Sequence, residues 1–374
     1  MTRNGLWGAA IAAAGAIAAC GPSDHPSAGA QVPAQVNPNY YVQTPFPSAV
    51  QRYENHPPSQ LAQQIAQLQR AFAGKAGIAI RAVDGGWTVE AGGRQRLPQQ
   101  SVSKLWVALT VMDQIDAGRL SLSTPVTVRP QDLTLFHQPI ASLVARNGSF
   151  QTTVSDLLER ALTHSDNTAN DKLLQLVGGP SAVREMISRK QLGDIRFGPG
   201  ERLLQSRTAG LAWQPSFAVG NNFEIARSRL SPAARAAALD SYIADPPDGA
   251  APLAIADSLA RLARGELLSP ESTRFLLDTM GHTVTGRARL RAALPPGWTI
   301  QHKTGTGQDL GRRNAGFNDV GILTAPDGSR YALAVMIGDS VRPIGERQHL
   351  IQEVASTVAG YQAGRLGEST GAAR

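Results

Sequence analysis

The sequence predicts an α+β fold, in which a three-layer α/β/α subdomain with an antiparallel sheet carries an inserted all-helical subdomain. Two observations support this fold class. Strand patterns occur near both ends of the region that has regular apolar periodicity, and helical patterns fill its long middle. Because strands from the two ends can share one sheet, the helical middle is expected to form an insertion. With 374 residues, 42% of them hydrophobic, the chain can bury a large core.

Each part of this fold follows from a local pattern. Apolar residues recur at helical spacing from Ser59 to Phe72, and Asp84-Gly85-Gly86 forms a turn signal between two short strands, 77–83 and 87–91. Within the helical middle, Thr153-x-x-Asp156 has the form of a capping box. After Pro295, strands are expected at 298–304, 319–325 and 331–338, followed by an amphipathic helix at 346–358.

The N-terminal segment has the features of an export signal. Arg3 precedes an apolar, alanine-rich run from Leu6 to Ala19, which is too short to span a bilayer. The run ends in Ile17-Ala18-Ala19-Cys20, which resembles a bacterial lipobox, where the cysteine becomes the lipidated first residue of the mature protein. Cys20 is also the only cysteine, so no disulfide can form within one chain. An ordinary cleaved signal peptide with an incidental cysteine is the alternative.

Lipidation of Cys20 implies a periplasmic protein that meets the membrane only through its lipid anchor. Gly21 stands where signals for inner-membrane retention usually have Asp, so the resemblance favours the outer membrane. The expected segments are a signal peptide (1–19), a flexible tether (20–56), a globular domain (57–362) and a disordered tail (363–374). Within the domain, the α/β part is expected over 57–100 and 295–362, and the helical part over 101–294.

The composition argues against a nucleic-acid partner. The net charge of +7 comes from 31 arginines and five lysines that are spread along the chain, whereas nucleic-acid-binding proteins concentrate basic residues on one face or arm. We therefore expect no nucleic acid as partner, and the basic balance is better suited to attracting small anions. No metal or organic cofactor is expected, and the chain is expected to be a monomer. The histidines are too scattered for familiar zinc spacing: His137, His164, His302 and His349.

Three short motifs contain residues that could carry chemistry. Ser101 and Lys104 lie three positions apart at a predicted helix start, so they share a face, and a lysine of lowered pKa could take the serine proton. Ser165-Asp166-Asn167 lies between two helices. Lys303-Thr304-Gly305-Thr306-Gly307 ends a predicted strand, where glycine often marks close approach by a ligand. Taken singly, the three motifs are more typical of solvated side chains, a helix N-cap and an exposed edge-strand lysine, respectively.

Together, S-x-x-K, S-D-N and K-T-G form a set that is typical of class A β-lactamases and penicillin-binding proteins. The chain resembles the class A β-lactamases from about Ser59 to Val358, and two of its five lysines occupy motif positions. Glu201 follows Ser165 by 36 residues, and Glu201-Arg202-Leu203-Leu204-Gln205 resembles the E-x-x-L-N signature of that family. A base of this kind is needed because an acyl-serine ester survives unless water is activated against it.

The resemblance implies a role for each candidate residue. Ser101 is acylated, with Lys104 or Glu201 (the latter through water) as acylation base, and Glu201 activates the deacylating water that Gln205 helps to hold. Backbone N–H groups of Ser101 and Thr306 form the oxyanion hole. Ser165 protonates the leaving nitrogen. The substrate contacts implied for the remaining residues are an amide side chain at Asn167 and a carboxylate at Lys303, Thr304, Gly305 and Thr306.

Several positions depart from the family pattern. Gln205 and Asp171 stand where asparagine is usual, and Pro199 replaces an arginine that commonly pins the Ω-loop, which begins near Arg196. Between Gln205 and Pro252 the chain is longer than a typical Ω-loop requires, so we expect an enlarged and differently folded loop. Two assignments stay open. Phe136 is either a rim residue of the active site or a core residue, and the arginine that supports the carboxylate is one of Arg313, Arg342 and Arg347.

The function expected from this resemblance is hydrolysis of β-lactam antibiotics through a serine acyl-enzyme, which confers antibiotic resistance. A cell-wall peptidase or an esterase with the same S-x-x-K centre is the alternative enzyme, although such peptidases lack the base expected at Glu201. A lipoprotein that binds peptidoglycan, or that senses β-lactams through a long-lived acyl-enzyme, is the non-catalytic alternative.

Overall fold

The computed structural model describes residues 56–371, with side chains described for residues 56–365. The predicted signal peptide, Cys20 and the tether up to residue 55 lie outside the described residues. Across the described residues, none of the helices combines the length and the apolar character needed to cross a bilayer.

Strands from both ends of the domain form one five-stranded antiparallel sheet in the order β2-β1-β11-β10-β7. This arrangement confirms the predicted sheet, with strand ends that differ by at most two residues from the expected ones. Three two-stranded pairs accompany it: β3 with β6, β4 with β5, and β8 with β9. The strands are β1 (Lys75–Ala82), β2 (Thr88–Ala91), β3 (Leu97–Pro98), β4 (Pro125–Val128), β5 (Phe150–Thr153), β6 (Gly249–Ala250), β7 (Thr299–Thr306), β8 (Asp309–Leu310), β9 (Arg313–Asn314), β10 (Phe317–Thr324) and β11 (Arg330–Asp339).

Helices cover both faces of the sheet and fill the middle of the chain. Four short 3-10 helices add to them, at Gln100–Ser103, Pro130–Asp132, Pro215–Ala218 and Leu290–Ala293. The α-helices are α1 (Ser59–Ala71), α2 (Lys104–Asp116), α3 (Ala141–Asn147), α4 (Val154–Thr163), α5 (Asn167–Leu176), α6 (Gly179–Arg189), α7 (Glu201–Thr208), α8 (Asn222–Ser228), α9 (Pro232–Ala244), α10 (Pro252–Ala263), α11 (Pro270–Gly281) and α12 (Ile344–Gly371).

The alternation of side chains along the strands separates two hydrophobic cores. Ile78, Ile80 and Leu333 pack with α1 and α12 on one face of the sheet. Ala79 and Met336 point to the other face and join the core that contains α2, α4 and α10. Because β11 is buried on both faces, it has the continuous apolar sequence of a central strand. The sheet and its two covering layers give the predicted three-layer architecture.

Two boundary predictions need correction. Helix α10 lies within the range expected to be the helical part, but it packs against β1, β10 and β11 and so belongs to a covering layer of the sheet. The tail expected to be disordered from residue 363 is helical as far as Gly371. No proline interrupts this segment, and Gln362 anchors the helix through bonds with Tyr331 and Asp327.

Residues 196–249 are the segment expected to form the enlarged Ω-loop. It contains α7, α8 and α9, and its two ends meet where the Arg196 N–H donates to the Gly249 carbonyl at 2.9 Å. The Gln99 amide binds both ends as well, donating to the carbonyls of Arg196 at 2.9 Å and Asp248 at 2.6 Å. This side chain joins the Ω-loop to the segment that carries Ser101.

Candidate active site

A cavity of about 530 Å³ lies between the sheet edge formed by β7, the helical part and the Ω-loop. Several predicted site residues line it, and Lys104, Glu201 and Lys303 are buried behind its wall. The lining residues predicted from the sequence are Ser101, Phe136, Ser165, Asn167, Gln205, Thr304 and Thr306. The residues that sequence reasoning did not assign to the site include Arg227, Thr285, Gly286, Arg289, Gln308 and Asp309.

The position of Ser101 depends on close contact between its 3-10 helix and β7. A Cβ atom on Gly305 would lie 2.3 Å from the Gln99 carbonyl oxygen, a distance that no side chain can accept. Gly305 is therefore required by the protein's own backbone. It does not line the cavity, in contrast to the substrate contact expected from the sequence. The Asn318 amide also holds this junction, donating to the Pro98 and Gln99 carbonyls at 2.9 and 3.0 Å.

Lys104 is the centre of a buried polar cluster at the start of α2. Its Nζ donates to Ser101 Oγ at 2.8 Å and to Asn167 Oδ1 at 2.9 Å, and it pairs with Glu201 Oε1. These three acceptors use the three protons of an ammonium group. The Asn167 amide nitrogen donates to the Leu135 carbonyl at 2.8 Å, which fixes the orientation of its oxygen. The structure thus brings together four of the residues singled out in the sequence.

A second buried ammonium group lies across the cavity wall. Lys303 Nζ donates to Ser165 Oγ at 2.9 Å and to the Thr304 carbonyl at 2.9 Å. Burial lowers the pKa of Lys303 well below that of a free lysine, and the neighbouring Lys104 cation lowers this pKa further. The side chain of Lys303 has no carboxylate within ion-pair distance among the described residues. This cation is therefore suited to receiving an anion from the cavity.

Backbone strain is concentrated around the cavity. Among the described residues, four other than glycine have positive φ angles. Three of them flank or line the cavity: Gln100 (53°), next to Ser101, Phe136 (58°) and Ser165 (61°). Residues other than glycine adopt this region only when surrounding contacts impose it, and such strain occurs preferentially at functional sites.

Glu201 is held at the N-terminus of α7 by Asp171, one of the positions that departs from the family pattern. The Asp171 carboxylate accepts the backbone N–H groups of Glu201 at 2.9 Å and of Arg202 at 3.2 Å. Burial, together with the nearby charge of Glu201, raises the pKa of Asp171 to about 6, although the two N–H groups oppose this shift. An asparagine could accept with only one of its two side-chain atoms, so aspartate suits two converging donors.

Gln205 contacts Glu201 from one turn further along α7. Its amide nitrogen donates to Glu201 Oε2 at 3.2 Å, so the carboxylate is bound at both oxygens. The Gln205 amide oxygen accepts the Gln308 amide at 3.0 Å. Gln205 therefore lies where the sequence predicted, beside the candidate base and at the cavity wall.

A second cationic group beside the expected carboxylate site is Arg289, which sequence reasoning missed. Its guanidinium donates to Thr306 Oγ1 at 2.5 Å and to the Gly305 carbonyl at 3.0 Å, and stacks 3.7 Å from the centre of the Phe317 ring. Burial lowers the pKa of Arg289 to about 10, an effect that Asp319 opposes and Arg347 reinforces.

None of the three arginines expected in this role lines the cavity. Arg313 pairs with Asp339 and Asp240, Arg342 pairs with Glu346, and Arg347 lies against the Phe317 ring beside Arg289. The expectation is therefore corrected. The only sequence signal for Arg289 is its place in Gly286-Arg287-Ala288-Arg289-Leu290-Arg291, where three arginines alternate and pattern alone does not distinguish them.

The Ω-loop forms the outer wall of the cavity. Phe136, which is 43% exposed, is a rim residue, and its ring meets the Phe223 ring of α8 edge-on at 5.2 Å between centroids. Phe217 extends this aromatic contact. On the opposite side, Arg227 of α8 donates to the Asp309 carbonyl at 2.7 Å. Helix α8 thus spans the cavity from the loop that carries Phe136 to the turn after β7.

Metal chemistry has no evident ligands within the described part of the chain. No three His, Cys, Asp or Glu side chains of these residues gather in a way that could hold a metal ion. His302 is buried and bonds to Asp319 at 2.8 Å, whereas His137 and His164 lie separately at the cavity rim.

Comparison with known proteins places this site in a family. Residues 60–362 match the model of the Beta-lactamase enzyme family. The chain is 29% identical to extended-spectrum beta-lactamase PER-1 of Pseudomonas aeruginosa, over 73% of this chain and 77% of that relative. It is 31% identical to beta-lactamase L2 of Stenotrophomonas maltophilia, over 70% and 72% respectively.

Solved structures agree with the sequence comparison. The crystal structure of TLA-3 extended-spectrum beta-lactamase is similar with a TM-score of 0.67 at 25% identity, covering 81% of this chain and 98% of that one. A variant of the last common ancestor of Gram-negative bacteria beta-lactamase class A is similar with a TM-score of 0.63 at 27% identity, covering 82% and 99%. This protein belongs to the Beta-lactamase enzyme family and, within it, to the class A β-lactamases.

Proposed function

We propose that this protein hydrolyses β-lactam antibiotics through an ester formed on Ser101 and cleaved by water that Glu201 activates. The observation that carries this proposal is the cluster in which the Lys104 ammonium binds both Ser101 Oγ and the Glu201 carboxylate. A nucleophile and two possible proton acceptors therefore lie within one hydrogen-bond network at a cavity wall.

Acylation begins with the substrate carboxylate beside Lys303, Thr304 and Thr306. Ser101 Oγ then attacks the lactam carbonyl carbon. Its proton passes either to Lys104, once the ammonium group has given a proton to the Glu201 carboxylate with which it is paired, or through water to Glu201 directly. The backbone N–H groups of Ser101 and Thr306 stabilise the negative oxygen. When the C–N bond breaks, Ser165 passes a proton to the nitrogen and recovers one from Lys303, to which it is already hydrogen-bonded. The proton taken from Ser101 then returns through water to Lys303, so Glu201 is again a carboxylate before deacylation.

In deacylation, the hydrogen-bond network around Lys104 and Glu201 activates water and returns a proton to Ser101. Glu201 takes a proton from a water molecule, whose oxygen attacks the ester carbonyl carbon. The ester C–O bond breaks, and the proton returns through Glu201 or Lys104 to Ser101 Oγ. Gln205 holds one oxygen of Glu201, which leaves the carboxylate oriented for this step. No cofactor takes part.

The bound position of Glu201 favours hydrolysis over the alternatives of a peptidase or a β-lactam sensor. A sensor requires an ester that persists, and a buried carboxylate within reach of the Ser101 network works against persistence. Steady turnover of a chromogenic cephalosporin supports the hydrolase, whereas a single stoichiometric burst supports the sensor or the peptidase.

For its location, we propose an outer-membrane lipoprotein that faces the periplasm through a lipid on Cys20. The motif Ile17-Ala18-Ala19-Cys20 supports lipidation, and Gly21 supports outer-membrane sorting. The domain then acts as a monomer on antibiotics before they reach the cell wall.

Replacing Glu201 should separate the two chemical steps. In Glu201→Gln, acylation continues but hydrolysis of the ester slows by at least about a hundredfold, because the general base is lost. Intact-protein mass spectrometry after mixing with a cephalosporin should show accumulated acyl-enzyme, whereas Ser101→Ala should show none. Turnover of Glu201→Gln at the wild-type rate would contradict the assigned base.

Arg289→Ala should weaken recognition of the substrate carboxylate. We expect kcat/KM to fall by about 10- to 100-fold, mainly through KM, because a charge-assisted hydrogen-bond network behind Thr306 is lost. The matched control is Arg342→Ala, which removes an exposed arginine outside the cavity. A penicillin methyl ester lacks the anion, so the variant should lower kcat/KM less for the ester than for the acid. An equal loss for both substrates would exclude this role.

The lowered pKa of Lys303 should produce an alkaline limb in the pH profile of kcat/KM. The positive charge is present at low pH and is lost as pH rises through this pKa, so kcat/KM should decline on the alkaline side. A bound carboxylate restores the charged form, so the corresponding limb of kcat should lie at higher pH. In Lys303→Arg the guanidinium stays protonated, and the limb should disappear. The same limb in both proteins would assign it to another group.

Lipidation can be tested by labelling in a bacterial host. The full chain should incorporate a labelled fatty acid and sediment with membranes, and Cys20→Ser should lose both properties. Gly21→Asp should keep the label but shift the protein from outer-membrane to inner-membrane fractions. Labelling of Cys20→Ser at the wild-type level would refute the anchor.

A further inference from the structure

A second polar network, outside the groups assigned to the reaction, reaches Glu201 from the Ω-loop. Tyr242 on α9 donates its hydroxyl proton to Asp248, at 3.0 Å from Oδ1 and 3.2 Å from Oδ2. The Gln100 amide nitrogen donates to the Tyr242 oxygen at 2.8 Å and to the Ala315 carbonyl at 2.8 Å. All of these contacts are buried, and Gln100 directly precedes Ser101.

The network continues through two glutamines to the candidate base. Gln205 Nε2 donates to Gln100 Oε1 at 3.2 Å and to Glu201 Oε2 at 3.2 Å. At the opposite end of the same amide, Gln205 Oε1 accepts from Gln308 Nε2 at 3.0 Å. An uninterrupted path of hydrogen bonds therefore joins Asp248 to Glu201.

The donors and acceptors along this path have one consistent direction. Asp248 also accepts the Gln100 backbone N–H at 2.8 Å, so its carboxylate acts as acceptor toward two groups. Burial raises the pKa of Asp248 to about 6, which still leaves it ionised at neutral pH. The Tyr242 proton is thus committed to Asp248, and the Tyr242 oxygen must accept an N–H from Gln100. The carbonyl end of the Gln100 amide is thereby turned toward Gln205.

The same reasoning determines the orientation of Gln205. Its NH₂ group has two protons, and Gln100 Oε1 and Glu201 Oε2 receive one each. If the Gln100 amide rotated by half a turn, two NH₂ groups would face each other. Gln205 would then have to rotate as well, and its carbonyl oxygen would face the Glu201 carboxylate. Two acceptors in contact repel each other, so Glu201 would lose a bond and move.

We propose that Tyr242 is a positioning residue for deacylation, because its hydroxyl, together with the Ala315 carbonyl, sets the orientation of the Gln100 and Gln205 amides and thereby holds Glu201 Oε2. This inference rests on the roles proposed above for Ser101 and Glu201. Tyr242 touches neither the cavity nor the reacting atoms, so it acts only through Gln100 and Gln205. Gln308 supports the same orientation from the other end of Gln205.

Tyr242→Phe is a clean test because the ring remains. The ring packs in a small core with Leu204, Leu239 and Ile243, which phenylalanine can preserve. The matched control is Tyr331→Phe, which removes a buried hydroxyl that bonds to Gln362, remote from the cavity. Both variants lose one hydroxyl bonded to a glutamine, and only one of them belongs to the path to Glu201.

The acylation and deacylation rates of both variants should be measured by rapid mixing with a cephalosporin. In Tyr242→Phe we expect deacylation to slow about tenfold, as for one lost hydrogen bond, with acylation unchanged. When deacylation limits turnover, kcat and KM then fall together and kcat/KM stays constant. Tyr331→Phe should match the wild type in both rates. Unchanged deacylation in Tyr242→Phe, or a parallel loss of both rates, overturns the proposal.

If Tyr242→Phe folds poorly, a second variant can test the same proposal. Gln308→Leu removes the donor to Gln205 Oε1, and it should also slow deacylation selectively. Normal deacylation in Gln308→Leu would then overturn the orienting path. Failure of the underlying mechanism looks different, because Glu201→Gln would not accumulate acyl-enzyme. If Glu201→Gln does accumulate it while Tyr242→Phe turns over normally, only the role of Tyr242 is wrong.

Discussion

The pairing of Lys104 with Glu201 in a site closed to solvent is the interaction on which the rest of the molecule depends. Both side chains are almost completely buried. Removal of two charges from water costs several kcal/mol for each ion, and attraction between them compensates only when the remaining protons and lone pairs are also satisfied. Ser101, Asn167 and Gln205 supply the missing partners. The groups that stabilise the buried pair are thus the groups that the chemistry needs.

The need to hold this pair explains the construction around it. Asp171 fixes the first turn of α7, and Gln99 fastens both ends of the Ω-loop to the segment before Ser101. Gly305 permits the sheet edge to approach that segment. Across the cavity, Lys303 and Arg289 are cations without a carboxylate partner at ion-pair distance among the described side chains, so that edge of the cavity carries uncompensated positive charge. On one side of the site the charges of Lys104 and Glu201 neutralise each other, whereas on the other side Lys303 and Arg289 can bind an anion.

Local sequence patterns were sufficient to predict the sheet and the helical insertion, because periodicity and turn chemistry are read over a few positions. The motif residues were identified from the resemblance to the class A β-lactamases. The patterns could not identify Arg289, since Arg287 and Arg291 beside it look the same and only the fold buries one of the three. They also assigned α10 to the helical part and ended α12 too early, because packing against distant strands and a bond to Asp327 decide these features. Gly305 was correctly singled out as a site of close approach, but the approaching group is the protein's own backbone.

Helix α8 spans the cavity between Phe136 and Asp309, so the entrance of the cavity and its reacting groups belong to different elements. The breadth of the entrance is set by side chains of a solvent-facing helix, most of which are accessible. The reacting groups are anchored elsewhere, on the 3-10 helix Gln100–Ser103 and on or next to α2, α5, α7 and β7. Substitutions along α8 can therefore change which antibiotics enter the cavity while the reacting groups stay in place.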